Sequence, residues 1–274
     1  MKSIIKKLLK FAGFYDYLRW SSLYKIYIRF RSPQTVKQAK REYQFLKKIL
    51  ASDVNLIIFD VGANQGDKIQ QYLRFSPQKV IAFEPDKSNQ KILNLRFSRR
   101  SSFVLDTNAV SDKIGKSEFY VLSPGDALNS LNPKWKELLE NERANRWHTR
   151  HEFKSVVEIT TTTLEESIKK YGKPDYIKID VEGHELSCLL GLNQPVNVIS
   201  FECNLPEFLE ETLMCIDRLN VLNSAYLYGF YNGNENFIGN CTYKYSEAME
   251  FVKKTSLRYF EVFALSENSI HNAF

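Results

Sequence analysis

The sequence predicts an α/β fold, in which a mainly parallel sheet is covered by helices on both faces. Short apolar runs alternate with helical patterns along most of the chain after residue 50. A glycine-rich turn at residues 60–66 follows the first of these runs, and Glu84, Asp180 and Glu202 end three others. Ligands of open α/β sheets bind at the carboxyl ends of the strands, so these acidic ends predict one shared cleft.

Individual elements follow from the same patterns. The predicted strands are Leu56–Asp60, Lys79–Glu84, Phe103–Val110, Tyr176–Asp180, Val198–Glu202, Ala225–Phe230 and Tyr259–Leu265, with a short additional strand at Glu118–Leu122. The predicted helices are Lys68–Arg74, Ser88–Arg96, Leu164–Tyr171, His184–Leu192 and Pro206–Leu222. Thr162 with Glu165 is typical of a capping box at the start of the third helix. Residues 228–240, rich in Tyr, Gly and Asn, are interpreted as the turn of a long hairpin that joins the last two strands.

Charge divides the chain of 274 residues into two parts. Residues 1–50 hold 13 Lys and Arg against 2 acidic residues, whereas the remainder holds 25 against 30. We therefore predict a basic helical N-terminal arm over residues 1–50 and one α/β domain over residues 51–274. Residues 123–155 interrupt the alternation of the domain, and such an insertion is interpreted as a substrate lid or a partner surface.

The arm carries apolar residues at helical spacing, namely Ile4, Leu8, Phe11, Tyr15 and Leu18. The favoured interpretation is a helix that packs its apolar face on the domain. The alternative is a peripheral contact between residues 1–30 and an anionic membrane surface. Lysines break the apolar run, so no secretory signal is predicted, and no run is long enough to span a bilayer.

Two further features bear on partners and location. The basic cluster ends before the acidic domain begins, so nucleic-acid binding is not expected. The four cysteines, Cys188, Cys203, Cys215 and Cys241, form no C-x-x-C pair and are interpreted as reduced thiols of a cytoplasmic protein.

The glycine turn indicates the type of cofactor. Its spacing is Gly62-x-x-x-Gly66 rather than the G-x-G-x-x-G of dinucleotide sites. Asp60 would repel a diphosphate and attract a cation such as the sulfonium of S-adenosylmethionine. Glu84, at the end of the next strand, is suited to accept hydrogen bonds from ribose hydroxyls. The turn therefore favours S-adenosylmethionine over a dinucleotide.

A second dense cluster occupies residues 175–185. Asp180 and Glu182 lie two positions apart at a strand end, so their side chains leave the same side of an extended backbone. Two neighbouring acids are costly unless a cation lies nearby, and Lys178 is one possible partner that the sequence leaves open. Gly183 permits the turn into the next helix, where Glu185 is suited to support the helix start.

Taken in order, the motifs DVGANQG, AFEPD, NAVSDKIG, TTTLEESI, DYIKIDVEGHE and ISFEC resemble those of the FkbM family of S-adenosylmethionine-dependent methyltransferases. The resemblance covers residues 55–204 and departs from the family pattern at Glu165, where an aspartate is usual. It implies a doubly wound, mostly parallel, seven-stranded Rossmann-like sheet and methylation of hydroxyl oxygens on sugars or natural products. It further implies that Asp60, Gly62, Ala63, Asn64 and Gly66 hold the methionine and ribose portion of the cofactor, that Glu84 holds the ribose hydroxyls, and that Asn108 and Ala109 line the adenine. Asp180 and Glu182 would lie near the transferred methyl group.

Transfer to an alcohol requires that the hydroxyl lose its proton, and a placed base contributes about 10²–10⁴-fold. His184 is the first candidate because its unperturbed pKa suits neutral pH, and Asp180, Glu182 and Glu202 follow. A divalent ion held by the three acids is a second route. It ranks below the metal-free route, and no metal is predicted.

The predicted function is therefore S-adenosylmethionine-dependent O-methyl transfer to a hydroxyl of a sugar, glycan or related natural product. One alternative is a catalytically inactive methyltransferase-like binding module. A dinucleotide-dependent oxidoreductase is the other, disfavoured by Asp60 and by the glycine spacing.

Overall fold

The computed structural model describes residues 32–50, 55–142 and 148–270. The strands are β1 (Ile57–Val61), β2 (Lys79–Phe83), β3 (Phe103–Asp106), β4 (Ala109–Val110), β5 (Gly115–Val121), β6 (Ser155–Thr162), β7 (Tyr176–Ile179), β8 (Val198–Asn204), β9 (Leu227–Tyr231) and β10 (Tyr259–Leu265). The helices are α1 (Pro33–Leu50), α2 (Asp67–Tyr72), α3 (Lys87–Phe97), α4 (Pro133–Glu140), α5 (Leu164–Tyr171), α6 (Glu185–Leu190), α7 (Leu209–Leu222), α8 (Tyr245–Lys254) and α9 (Glu267–Ile270), with 3₁₀ turns at Leu73–Phe75 and Ile238–Asn240.

Seven strands form the main sheet in the order β3-β2-β1-β7-β8-β10-β9. Neighbours from β3 to β8 pair in parallel, and β10 runs antiparallel to both β8 and β9. The central strands are almost entirely buried, as expected for a parallel sheet covered on both faces. The predicted fold class is confirmed.

Helices cover the two faces of this sheet as separate groups. Helices α5 to α8 contribute to the hydrophobic core on one face, and α1 to α3 contribute to the core on the other. Phe45 of α1 stacks on Tyr231 of β9, with ring centroids 4.1 Å apart, so the described part of the basic arm packs on the domain. The periodic residues Ile4 to Leu18 and the proposed membrane contact of residues 1–30 lie outside the described residues, and both interpretations stay predictions. Among the residues that are described, no helix is long and apolar enough to cross a membrane.

The prediction of one strand over Phe103–Val110 is wrong. The Asp106 carboxylate accepts hydrogen bonds from the backbone and the side-chain nitrogen of Asn108, at 3.0 and 2.7 Å. These bonds bend the chain between β3 and β4 in the manner of an Asx turn. As a result β3 is an edge strand of the main sheet, whereas β4 belongs to a second sheet of order β4-β6-β5.

The second sheet and the insertion form one side of the molecule. The short strand predicted at Glu118–Leu122 is the longer β5, and its partner β6 was not predicted. Within the insertion, α4 buries Trp135 to 1% exposure, and the indole nitrogen donates to the Leu128 carbonyl oxygen at 3.2 Å. Trp135 therefore hydrogen-bonds within the insertion.

Two smaller predictions are also wrong. The cap of α5 is Thr163, whose hydroxyl accepts from the N–H of Glu166 at 3.1 Å, and not Thr162 with Glu165. Glu165 instead accepts from the backbone N–H of Asn193 at 3.1 Å. Strands β9 and β10 are antiparallel neighbours, but α8 lies between them in the chain, so residues 228–240 are not a simple hairpin turn.

Candidate active site

A cavity of about 110 Å³ lies at the carboxyl ends of β1, β2 and β7. Six of the predicted site residues line it: Gly62, Asn64, Glu84, Ala109, Asp180 and Glu182. Six others do not: Asp60, Ala63, Gly66, Asn108, His184 and Glu202. The structure thus brings the two sequence clusters to one cavity but leaves half of the predicted residues outside its lining.

The glycine turn after β1 forms the wall nearest to β7. The backbone N–H groups of Gly62 and Ala63 both donate to the carbonyl oxygen of Phe83 at 3.1 Å. Gly62 has a φ of +81°, and a Cβ at this position would lie 1.8 Å from the carbonyl oxygen of Asp180. Only glycine permits both the backbone angle and this approach, so Gly62 is the point where the two motifs touch.

Gly66 serves packing rather than the cavity. Its φ is +80°, and a Cβ would come within 2.5 Å of the Phe97 ring and 2.7 Å of Leu93. The turn therefore lies directly against α3.

Glu84 supports the glycine turn from β2. It is 5% exposed, and its two oxygens accept from the backbone N–H groups of Asn64 at 2.7 Å and Asp86 at 2.8 Å. Burial raises the pKa of Glu84 to about 7, although these two bonds oppose the shift. The Asn89 side chain also hydrogen-bonds to Glu84, and because a carboxylate can accept about four hydrogen bonds, the side chain can still accept from a ligand hydroxyl.

Asp60 lies on β1 next to Lys178 of β7 and is 1% exposed. Neither of its oxygens has a hydrogen-bond partner among the described residues. Burial raises its pKa to about 6, and the charge of Lys178 opposes that shift. Asp60 therefore lies beside the Lys178 side chain and outside the cavity lining.

Lys178 and Asp180 form the ion pair that the sequence left open. The Lys178 Nζ donates to Asp180 Oδ2 at 2.6 Å, and Lys178 is 4% exposed. Burial opposes the charged form, but the nearby carboxylates of Asp180, Asp60 and Glu261 raise the pKa of Lys178 above its ordinary value. A permanent positive charge thus lies beside the acidic strand ends.

Three carboxylates gather at the ends of β7 and β8. One oxygen each of Asp180, Glu182 and Glu202 lie within 4.8 Å of one another. Glu202 accepts from the Tyr259 hydroxyl at 2.7 Å and from the Asn204 side chain at 2.9 Å, and its pKa is raised to about 7, first by burial and then by Asp180. Oxygen ligands of this kind suit a divalent cation. Protein groups already partner Asp180 and Glu202, however, and we assign no metal to the cluster.

His184 and Asn108 are engaged elsewhere. The His184 Nε2 lies 3.1 Å from the Ser111 hydroxyl, and burial lowers its pKa to about 4. The Asn108 side chain donates to Asp106 and accepts from the Thr160 hydroxyl at 2.5 Å. This geometry does not favour His184 as the base or the Asn108 side chain as an adenine contact.

The insertion supplies lining residues that the sequence did not identify, among them Asp126, Asn129 and Ser130. The Asn129 side chain donates to Asp86 Oδ2 at 3.1 Å, and the Gly125 N–H donates to the same oxygen at 2.9 Å. Asp86 is also the N-cap of α3, a role that its position before Lys87 and Ser88 could have revealed. No sequence signal locates the insertion residues, because their partners are about 40 positions away.

The chain matches one known protein family and is similar in fold to several solved structures. The family model described as the methyltransferase FkbM domain matches residues 60–245. A comparison with curated proteins finds no match. Similar solved structures include the precorrin-6y C5,15-methyltransferase from Geobacter metallireducens (10% identity, 82% of this chain and 88% of that chain, TM-score 0.41). The plantazolicin methyltransferase BpumL (9%, 91% and 94%, 0.40) and the spermidine synthase from Thermotoga maritima (12%, 80% and 56%, 0.37) are also similar. Because the family model covers more than half of its length, the chain belongs to the FkbM family of S-adenosylmethionine-dependent methyltransferases.

Proposed function

We propose that this protein transfers the methyl group of S-adenosylmethionine to a hydroxyl oxygen of a sugar, glycan or related natural product. The observation that carries the proposal is the shared cavity. Gly62, Asn64 and Glu84 line it together with Asp180 and Glu182, and the two groups of residues meet where Gly62 lies against the Asp180 carbonyl oxygen. A cofactor held by the first group would thereby present its methyl group to the carboxylates of the second.

The lining supports an adenosyl ligand. Ala109, Phe119 and Leu131 belong to one small hydrophobic cluster and give the cavity an apolar wall suited to a flat ring. Glu84 keeps the capacity to accept one further hydrogen bond, as from a ribose hydroxyl. Asp180 and Glu182 add negative charge that would attract a sulfonium.

The carboxylates favour an oxygen acceptor. As the hydroxyl oxygen bonds to the methyl carbon, the carbon–sulfur bond breaks and its electron pair stays on sulfur. The hydroxyl proton must leave at the same stage, and the carboxylate of Asp180 or Glu182 can accept it. Glu202, with a pKa of about 7, lies close to both carboxylates and is a further group that can accept the proton.

The buried cysteines and the shape of the site bear on the cellular location and on the type of acceptor. Cys188, Cys203 and Cys215 are buried free thiols, which favours the cytoplasm. The acceptor is proposed as a small molecule or glycan because the candidate site is a cavity and not an extended surface.

The test begins with binding. Calorimetric titration of the full chain should show binding of S-adenosylmethionine and S-adenosylhomocysteine but not of NAD. Labelled S-adenosylmethionine would then be incubated with a panel of monosaccharides, methyl glycosides, uronic acids and phenols. We expect the label as an ether methyl group on one class of the panel.

Substitutions of the two carboxylates test whether they take part in methyl transfer. Asp180→Asn and Glu182→Gln should lower turnover by about 10²–10⁴-fold and leave S-adenosylhomocysteine bound. Glu158→Gln, on the exposed face of β6, is the control and should leave turnover unchanged. Label on nitrogen or carbon would show that O-methyl transfer is wrong. Binding without transfer to any acceptor class would favour the inactive binding module.

A further inference from the structure

The turn that follows β7 has a strained backbone. Glu182 and Gly183 have φ values of +54° and +88°, so two consecutive residues lie in the left-handed region. Glycine adopts this region freely, but a glutamate there is unfavourable unless surrounding contacts offset the strain. Glu182 also lines the cavity, so the strain falls on one of the proposed functional residues.

Two side chains of the insertion hold this turn. The Ser130 hydroxyl donates to the carbonyl oxygen of Glu182 at 2.8 Å and lies 3.4 Å from that of Val181. The Asn132 side-chain nitrogen donates to the carbonyl oxygen of Gly183. From the opposite direction, Glu185 Oε1 accepts from the N–H groups of Val181 and Gly183, each at 3.2 Å. Hydrogen bonds to side chains therefore surround the peptide groups on both sides of Glu182.

The two insertion residues are themselves anchored. The backbone of Ser130 pairs with that of Tyr120 on β5, at 2.8 and 3.2 Å. Asn132 caps α4, since its Oδ1 accepts from the N–H of Lys134 at 2.8 Å. Trp135 of the same helix is fully buried against Phe208. The clamp on the turn is thus part of a packed element and not of a loose loop.

We infer that Ser130 and Asn132 are positioning residues, which hold the strained turn so that the Glu182 carboxylate faces the cavity. The inference rests on the proposed function, in which Glu182 lies beside the transferred methyl group. It assigns to the insertion a part in building the acceptor side of the site. Cofactor binding depends on the other turn, so the two roles separate experimentally.

Two substitutions remove the two bonds of the clamp. Ser130→Ala deletes the hydroxyl that donates to the Glu182 carbonyl oxygen, and with it the oxygen that accepts from the Asn132 N–H at 2.9 Å. Asn132→Asp keeps an oxygen to cap α4 and replaces the donor to Gly183 with an acceptor, so α4 should remain folded. Ser167→Ala is the matched control, because the Ser167 hydroxyl also donates to a backbone carbonyl oxygen, that of Thr163 at 2.8 Å, but lies on α5 and does not line the cavity.

Three quantities would be measured on each full-length variant: amide hydrogen exchange over residues 181–183, affinity for S-adenosylhomocysteine, and turnover of labelled S-adenosylmethionine on the acceptor panel. Both clamp variants should speed exchange in the turn by about 10-fold, the effect of losing one hydrogen bond. They should lower turnover by about 10- to 100-fold, because small misplacement of a catalytic group is costly. Affinity for S-adenosylhomocysteine should change less than about 3-fold, and Ser167→Ala should change none of the three.

The outcomes separate the two proposals. If wild type does not bind S-adenosylhomocysteine, the proposed function fails and this inference fails with it. If wild type binds the ligand but exchange in the turn is the same in all variants, only the inference fails. Faster exchange with unchanged turnover would likewise overturn it, since the clamp would then be merely structural.

Discussion

The turns after β1 and β7 lie side by side and touch through Gly62 and the Asp180 carbonyl oxygen, yet they are held by different means. The β1 turn is held almost entirely by the next βα unit, through the Phe83 carbonyl oxygen and the Glu84 carboxylate. The β7 turn takes two of its hydrogen bonds from Ser130 and Asn132, about 50 positions earlier in the chain.

A buried glutamate supports each turn, but Glu84 comes from the end of the neighbouring strand β2 and Glu185 from the start of α6, directly after the β7 turn. Glu84 accepts one backbone N–H on each of its two oxygens, whereas Glu185 accepts two N–H groups on a single oxygen. The comparison indicates that the proposed cofactor turn is built by neighbouring sequence and the proposed acceptor turn by a distant segment.

The largest effect is expected where the two turns meet. In Gly62→Ala the new Cβ would lie 1.8 Å from Asp180 O, so one turn must move. We expect the free energy of unfolding to fall by about 3 kcal/mol or more and S-adenosylhomocysteine binding to be lost. Urea unfolding and calorimetry measure both.

Gly233→Ala is the matched control for this substitution. Gly233 also has a positive φ, of +92°, but its Cβ would meet only the Gln38 side chain, at 3.6 Å. Strain without a clash should cost about 1–2 kcal/mol. Equal losses in the two variants would contradict the close contact between the turns.

Glu84→Gln should have the next largest effect. A glutamine has one acceptor oxygen and one NH₂ group, so it cannot accept from Asn64 and Asp86 on separate oxygens. The unmatched N–H should lower the free energy of unfolding by about 1–3 kcal/mol at pH 8. An unchanged unfolding midpoint, relative to wild type and to the exposed Glu158→Gln, would show that Glu84 does not support the turn.

Glu185→Gln should cost less stability than Glu84→Gln, because the one carbonyl oxygen of glutamine can accept both N–H groups of the β7 turn. Burial raises the pKa of Glu185 to about 8, from an ordinary value of 4.5. Between about pH 5 and 8 the folded protein keeps a proton that the unfolded chain has lost. The free energy of unfolding contributed by this group therefore falls as the pH rises through that window.

The substitution removes that dependence. We expect Glu185→Gln to cost little stability at pH 5 and to remove the decline between pH 5 and 8, which amounts to roughly 3 kcal/mol over the window. Urea unfolding at pH 5, 6.5 and 8 tests this. Parallel curves for the variant and wild type would mean that Glu185 is ionised in the folded protein at all three values.

The same contrast explains which features could be predicted from the sequence. The α/β fold, the strand ends and the β1 turn are encoded by local patterns, namely apolar runs, a glycine turn and an acid one strand later. Asp86 also had a local signature, as the cap of α3. Each of these depends on residues that are close along the chain.

Features that depend on distant contacts were missed or misplaced. His184 has the right chemistry for a base, but its ring lies against Ser111, 73 positions away. The predicted strand 103–110 is divided by the Asp106 bonds to Asn108, and β4 then pairs with β6, which was not predicted. Nothing in residues 126–132 signals that they line the cavity and hold the β7 turn.

The smallest expected effect concerns the strain itself. Glu182→Gly should relieve about 1–2 kcal/mol of left-handed strain and lose about 0.4–1 kcal/mol through the greater freedom of the unfolded chain. The expected net gain in the free energy of unfolding is about 0.5 kcal/mol, accompanied by loss of turnover.

Asn64→Gly in the β1 turn is the counterpart, since Asn64 has a φ of +48° and asparagine adopts this region readily. It should change stability by less than about 0.3 kcal/mol. A higher free energy of unfolding for Glu182→Gly, with no change for Asn64→Gly, would show that the strain lies in the β7 turn. The wild-type protein would then give up stability to keep a functional glutamate at this position. A loss at Glu182 would instead mean that its side chain stabilises the turn, and that the clamp by Ser130 and Asn132 has no strain to offset.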